Sequence, residues 1–144
     1  MRVLGVDLGE RRIGLAVSDP LGLIASPLEV LSIEPDEDAA ALIAERAREL
    51  EAECIVVGMP ITLRGEIGPA AERMQAVVEA LREAAEVPVE TWDERLTSAV
   101  AARSMAEAGY TERDRRGHLD KVAAALILQN WLDRQRADGG GAGE

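Results

Sequence analysis

Three strand-like runs open this chain and a regular alternation of helix and strand follows, an order that few folds can accommodate. Alternating apolar residues predict strands at 2–7, 13–17 and 23–33, and the turn sequences between them predict an antiparallel meander. Helical spacing at 36–52 and 69–85 predicts two helices, with strands expected at 54–59 and 87–92. Two further helices are predicted at 96–108 and 119–136.

This order predicts an α/β fold with a five-stranded mixed sheet. Three antiparallel N-terminal strands come first, parallel strands joined by right-handed crossovers follow, and helices cover both faces. Only 2% of the residues are aromatic and none is Phe, so the core must be built from Ala, Val, Leu and Ile. We expect a single domain over residues 1–136 and a flexible, Gly-rich C-terminal tail over 137–144.

The apolar runs are shorter than the ~20 residues that a membrane-spanning helix needs. The N-terminus leads directly into a strand rather than a signal peptide, so we expect a cytoplasmic protein without a membrane partner. The single cysteine, Cys54, begins an apolar strand and is predicted to be a buried, inert thiol.

Carboxylates stand at the tips of predicted elements that are far apart in the chain. Asp7 ends the first strand, Asp93 and Glu94 follow the fifth, and Asp120 opens the last apolar helix. Carboxylates gathered in this way hold divalent metal ions for phosphodiester cleavage. Strand alternation puts Asp93 and Glu94 on opposite faces, so we expect only one of them to be a direct ligand.

Each acid also has a purely structural explanation. Asp7 could close a turn before Gly9, and Asp120 could only stabilise the N-terminus of its helix through the helix dipole. A turn does not explain an acid at the tip of a buried strand, so the metal-ligand interpretation is favoured for Asp7.

The formal net charge of −11 argues against a general polyanion binder. A nucleic-acid partner must therefore be held by local basic clusters and by metal ions. Several arginines and the only lysine fall beside the acidic positions or in the loops between elements. The candidates for nucleic-acid binding are Arg11, Arg12, Arg64, Arg95, Arg113, Arg115, Arg116 and Lys121.

Five motifs occur in a fixed order along the chain. They are Gly5-Val6-Asp7-Leu8-Gly9, the run at 12–19, Val57-Gly58-Met59-Pro60, Asp93-Glu94-Arg95-Leu96-Thr97 and the run at 120–129. Together they closely resemble the bacterial YqgF/RuvX family of the RNase H-like superfamily, over residues 2 to about 132. The chain departs from the superfamily at Gly58-Met59-Pro60, because the fourth strand of its members often ends in an acid.

The resemblance implies an RNase H-like fold and a metal-dependent nuclease that processes the 5′ end of pre-16S ribosomal RNA in ribosome biogenesis. The alternative within the family is a Holliday junction resolvase acting on branched DNA. Carried over residue by residue, Asp7 is the first-strand ligand, one of Asp93 and Glu94 the second, and Asp120 the helix-borne third. The cofactors implied are two Mg²⁺ or Mn²⁺ ions, held weakly without substrate.

Two other functions are compatible with parts of this sequence. A phosphotransferase using Asp7-Leu8-Gly9 would need a second domain that 144 residues cannot supply. A catalytically idle nucleic-acid-binding module is supported by the acidic charge and weakened by retention of all three acidic positions. Oligomeric state stays open, because an RNA-trimming enzyme can act as a monomer whereas a junction resolvase is expected to be a homodimer.

Overall fold

A five-stranded mixed sheet forms the centre of the molecule. The computed structural model describes residues 1–9, 11–59, 69–93 and 112–140, with only the backbone described at 69–71, 112–120 and 139–140. Its strands are β1 (Val3–Leu8), β2 (Arg12–Ser18), β3 (Ala25–Ser32), β4 (Cys54–Met59) and β5 (Val89–Asp93), in the spatial order β3-β2-β1-β4-β5. The β1–β2 and β2–β3 pairs are antiparallel, whereas β1–β4 and β4–β5 are parallel. The predicted meander and mixed sheet are therefore confirmed.

Helices pack on both faces of this sheet, as predicted. Helices α1 (Ala39–Glu49) and α2 (Pro69–Ala84) cover the core cluster that includes Leu4, Val6 and Val57. Helix α3 (Glu112–Gln135) packs on the other face, where its residues Ala124 to Leu132 share a core cluster with Val3 and Val56. We call the two sides of the sheet the α1/α2 face and the α3 face. No helix within the described ranges is long and apolar enough to cross a membrane.

Two helix starts differ from the predictions for identifiable reasons. Helix α1 begins at Ala39 because Asp38 is its N-cap, and the Asp38 carboxylate accepts a hydrogen bond of 3.1 Å from the Ala41 amide. Helix α3 begins at Glu112 and not at Leu119. The turns before Leu119 contain alternating charges that suit a helix but lack the apolar stripe on which the prediction relied.

Other boundaries also differ, and one predicted element cannot be compared. A π-helical segment, Arg136–Gly140, follows α3, and an ion pair of 3.0 Å joins Arg134 to Asp138. Strand β5 begins at Val89 because Pro88, with no backbone N–H, precedes it. The predicted helix at 96–108 lies outside the described residues.

The turn between β2 and β3 lies at the end of the sheet opposite to the carboxyl ends of the parallel strands. The Asp19 carboxylate accepts backbone hydrogen bonds from Ile24 at 2.9 Å and Leu23 at 2.7 Å, which lower the pKa of Asp19. Gly22 adopts a φ of 70° in this turn, a conformation that favours glycine. The turn is thus a tightly bonded structural element, remote from the carboxyl edge of the sheet.

Candidate active site at the carboxyl edge of the sheet

Two of the predicted acids lie at one edge of the sheet. Asp7 pairs with Gly58 of β4, and Asp93, the last residue of β5, pairs with Met59 of β4. Because β1, β4 and β5 are parallel, their carboxyl ends meet at this edge. Both side chains are half-buried, and both take part in interactions within the fold. Asp7 and Asp93 therefore lie near the same edge of the sheet, beside consecutive residues of β4, which runs between them.

The register nevertheless directs Asp7 and Asp93 to opposite faces. Leu8 and Val6, the neighbours of Asp7, belong to the core cluster beneath α1 and α2, so alternation points Asp7 to the α3 face. Met59 also belongs to the α1/α2 cluster, and its pairing partner Asp93 shares that face. The two carboxylates therefore leave the sheet on opposite sides. The next residue, Glu94, lies outside the described residues.

Helix α3 approaches β1 very closely beside Asp7. A Cβ atom on Gly5 would lie 2.7 Å from the Cβ of Leu128 and 3.0 Å from the carbonyl oxygen of Ala124, so only glycine permits this contact. The C-terminal half of α3 lies over the start of the strands, since the Gln129 side chain bonds to the Ala25 amide at 2.8 Å. The N-terminal turns of α3 are therefore directed toward the carboxyl edge.

The backbone positions of Asp120 and Asp7 follow from this contact. Asp120 precedes Ala124 by four residues, about 6 Å along α3. Asp7 follows Gly5 by two residues, about 6.6 Å along β1 and on the same face. The two positions are thus at similar heights above the point where helix and strand touch. The side chain of Asp120 is not among those described.

The predicted basic residues are distributed unevenly around this edge. Arg11 and Arg12 are exposed in the turn that joins β1 to β2, which is closed by a hydrogen bond of 2.8 Å from the Gly9 amide to the Arg12 carbonyl. Ala16 belongs to the core cluster on the α3 face. Because side chains alternate along β2, Arg12 lies on the same face. Lys121 is half-buried on α3. Arg113, Arg115 and Arg116 lie in the first turns of α3 and only their backbone is described, whereas Arg64 and Arg95 lie outside the described residues.

Negative charge is concentrated in the chain segments that contain α1 and α2. Residues 34–59 and 69–93 contain fourteen carboxylates and four arginines, a net charge of −10 out of −11 for the chain. Residues 112–140 contain five carboxylates and six basic residues, a net charge of +1. A polyanion is therefore repelled more strongly by those two segments than by the segment that contains α3.

Carboxylate chemistry at this edge is compatible with a divalent cation. Within the described ranges no group of three potential ligands forms a metal cluster, but Glu94 and the side chain of Asp120 fall outside that comparison. Asp7 pairs with Gly14 on β2 and with Gly58 on β4, two residues that have no side chain. Carboxylate oxygens suit Mg²⁺ and Mn²⁺, which retain several water ligands. The residues present therefore fit the expected ions.

The position of Cys54 confirms its expected burial. The side chain is 4% exposed, and burial together with the Glu90 carboxylate raises the pKa of Cys54 to about 11. Its sulfur lies 3.8 Å from a Glu90 carboxylate oxygen. A thiol that holds its proton so firmly is a poor nucleophile at neutral pH.

Comparison with known proteins gives a family and a fold. Residues 1–134 match the family described as RuvX: Holliday junction resolvase. A protein of Pelotomaculum thermopropionicum named "Putative pre-16S rRNA nuclease" is 43% identical over 145 residues, covering 98% of this chain and 94% of the relative. The RuvC structure of Thermus thermophilus superposes with a TM-score of 0.59 at 23% identity, covering 97% of each chain.

A second solved structure contains nucleic acid. It is T. thermophilus RuvC in complex with Holliday junction substrate, with a TM-score of 0.55 and 25% identity, covering 94% of this chain and 96% of that one. These similarities confirm the expected RNase H-like fold.

Proposed function

This chain belongs to the RuvX family, and we propose that, as a nuclease of that family, it uses divalent metal ions to hydrolyse phosphodiester bonds in the 5′-end processing of pre-16S ribosomal RNA. The relative that is 43% identical carries the name of that activity and aligns along almost its whole length. The observation that carries the proposal is the placement of Asp7 in a family member: a carboxylate at the edge of a parallel strand, facing the helix that contains Asp120.

The proposed ligands are Asp7, Asp120 and one acid from the pair Asp93 and Glu94. The register favours Glu94 of that pair, because Asp93 shares a face with Met59. Two Mg²⁺ or Mn²⁺ ions would activate the attacking water and stabilise the leaving oxygen when bound. Occupancy without substrate is expected to be weak, since Mg²⁺ is often held by a few carboxylates together with substrate phosphate.

Other residues of the chain would position the nucleic acid. Arg11 and Arg12, exposed at the same edge, are suited to contact phosphates that flank the scissile bond. The Arg113, Arg115, Arg116 and Lys121 positions on α3 extend this basic side, and Arg64 and Arg95 are further proposed contacts. We propose that the enzyme acts in the cytoplasm.

Resolution of Holliday junctions is the second candidate function. It is favoured by the description of the family and by the RuvC structure that contains a junction. A junction resolvase cuts two symmetry-related strands and is expected to be a homodimer, whereas processing of an RNA end is possible for a monomer. Oligomeric state therefore separates the two candidates as well as substrate choice does.

A substrate panel tests the proposal. Labelled pre-16S RNA ends, single-stranded DNA and a four-way junction are incubated with Mn²⁺, Mg²⁺ or EDTA, and the mass of the protein is measured by light scattering. Metal-dependent cleavage of the RNA by a monomer supports RNA processing. Paired cuts in the junction by a dimeric protein would instead support Holliday junction resolution as the function. Binding without cleavage of any substrate would indicate an idle nucleic-acid-binding module.

A further inference from the structure

The side chain of Gln129 joins helix α3 to the backbone at the start of β3. Its Oε1 accepts a hydrogen bond of 2.8 Å from the Ala25 amide, and its Nε2 donates to the Leu23 carbonyl oxygen at 3.0 Å. Nε2 also donates to an Asp133 carboxylate oxygen at 3.0 Å, about one helical turn farther along α3. A longer bond of 3.4 Å reaches the same Leu23 oxygen from Arg136. Both N–H donors of the Gln129 amide are thus engaged.

This contact depends on the chemistry of Gln129 and not only on its size. A primary amide presents a donor and an acceptor side by side, so it satisfies a backbone N–H and a backbone carbonyl of the same segment. Hydrogen bonds weaken steeply when their distance or angle departs from the optimum. The apolar contacts that α3 makes through Ala124 and Leu128 have no such directionality. The Gln129 bonds therefore restrain the orientation of α3 more sharply than packing alone.

Asp120 lies on the other side of the point where α3 touches β1. That point is the contact of Gly5 with Ala124 and Leu128. From the middle of this contact, Gln129 is about 4.5 Å along the helix in one direction and Asp120 is about 9 Å in the other. A tilt of α3 about the contact therefore moves Asp120 roughly twice as far as it moves Gln129.

We propose that Gln129 is a positioning residue of the nuclease site: its bonds to the start of β3 fix the tilt of α3, and this tilt keeps Asp120 level with Asp7. The inference rests on the proposed function, because it takes Asp120 as a metal ligand. The partners of Gln129, Leu23 and Ala25, lie at the end of the sheet opposite to the carboxyl edge. The effect of Gln129 on cleavage therefore passes entirely through α3.

The tilt of α3 is measurable without metal or substrate. Residual dipolar couplings of the backbone amides give the orientation of α3 relative to the sheet in wild type and in three variants. Gln129→Ala removes the side chain, and Gln129→Met keeps its length but lacks the amide donors and acceptor. The control Asp38→Ala removes the N-cap of α1 and so lowers stability without touching α3. Both Gln129 variants should change the orientation of α3, and Asp38→Ala should keep it.

Affinity for Mn²⁺ should follow the orientation of α3. Free Mn²⁺ is measured by electron paramagnetic resonance in titrations of the same four proteins, and initial rates of RNA cleavage are measured over a range of Mn²⁺ concentrations. Gln129→Ala and Gln129→Met should need roughly tenfold more Mn²⁺ for half-maximal binding and for half-maximal cleavage, the effect expected when the support of a metal ligand is lost. Asp38→Ala should match wild type when assayed well below its unfolding midpoint.

Each outcome supports or overturns the role of Gln129. If Gln129→Met keeps the wild-type tilt and Mn²⁺ requirement, packing and not hydrogen bonding orients α3 and the proposal is overturned. It is also overturned if the tilt changes without any change in the Mn²⁺ requirement, or if Asp38→Ala raises that requirement equally. If wild type neither binds Mn²⁺ nor cuts RNA, the proposed function fails and this inference fails with it, whereas the other outcomes leave the proposed function intact.

Discussion

Replacing Gly5 by alanine should damage the site through helix α3. The new Cβ would lie 2.7 Å from the Cβ of Leu128 and 3.0 Å from the Ala124 carbonyl oxygen. Carbon atoms in contact are normally about 3.5–4.0 Å apart, so α3 must move by roughly 1 Å. Overpacking of this kind costs about 1–3 kcal/mol, and the gain from replacing a strand glycine offsets about 0.5–1 kcal/mol. A net loss of about 1–2 kcal/mol is expected.

The expected signature combines a modest loss of stability with a large loss of activity. For a domain of this size the midpoint of thermal unfolding should fall by roughly 3–8 °C. A displacement of 1 Å in a group that holds the reacting atoms can reduce the rate about a hundredfold, and α3 contains Asp120. Urea titration followed by circular dichroism gives the free energy of unfolding, and initial rates of metal-dependent cleavage give the activity.

Gly22→Ala provides a matched control for this prediction. Gly22 has a φ of 70°, so alanine there costs about 1–2 kcal/mol of stability at the end of the sheet far from Asp7. This variant should lose stability to a similar extent and retain its cleavage rate when assayed below its unfolding midpoint. If Gly5→Ala is destabilised but cuts RNA as fast as Gly22→Ala, the contact between α3 and β1 does not set the geometry of the site and the reasoning is refuted.

Three further predictions follow from the register, a buried thiol and a helix cap. Asp93→Asn should retain most cleavage activity and Glu94→Gln should abolish it, because the register puts Asp93 on the α1/α2 face; the opposite result in cleavage assays would reverse the assignment. Alkylation of native Cys54 should accelerate about tenfold per pH unit toward a pKa of about 11, and Glu90→Gln should lower that pKa; a rate that levels off near pH 8.5, as for an ordinary thiol, contradicts this. The folded protein holds this proton more firmly than the unfolded chain, so stability should decline as pH rises through the same interval. Asp38→Ala should lower the free energy of unfolding by about 1 kcal/mol, whereas Asp38→Asn should keep the cap; urea titrations that find both variants equal would exclude a capping role.

The alternation of short apolar runs and turn sequences was sufficient to predict the sheet. Strand patterns of period two and helix patterns of period 3.6 are local properties, so β1 to β5 and the helices α1 and α2 were expected within a few residues. The start of α3 was not, because the residues from Glu112 to His118 are charged or polar apart from Gly117 and give no apolar stripe. A charged segment of this kind resembles an arginine-rich loop when only hydrophobicity is considered.

The pairing register of the strands could not be predicted from the sequence, although it determines which residues lie beside Asp7. Asp7 was expected at a strand end, but its position between Gly14 and Gly58 depends on which residues of three strands face each other. That alignment is set by long-range packing of the two core clusters. Glycines inside predicted strands were the available signal, since they often mark the close approach of a ligand or another backbone.

The central claim is that the Asp7 carboxylate is required for metal-dependent cleavage, and one comparison tests it directly. Initial rates on labelled single-stranded RNA are measured with Mn²⁺, Mg²⁺ or EDTA for wild type, Asp7→Asn and Asp36→Asn. Asp36 is an exposed acid just before α1, so its variant controls for the loss of one negative charge. We expect cleavage with metal by wild type and Asp36→Asn, and none in EDTA or by Asp7→Asn. Cleavage by Asp7→Asn at the wild-type rate, or by wild type in EDTA, would contradict the metal site proposed for this edge.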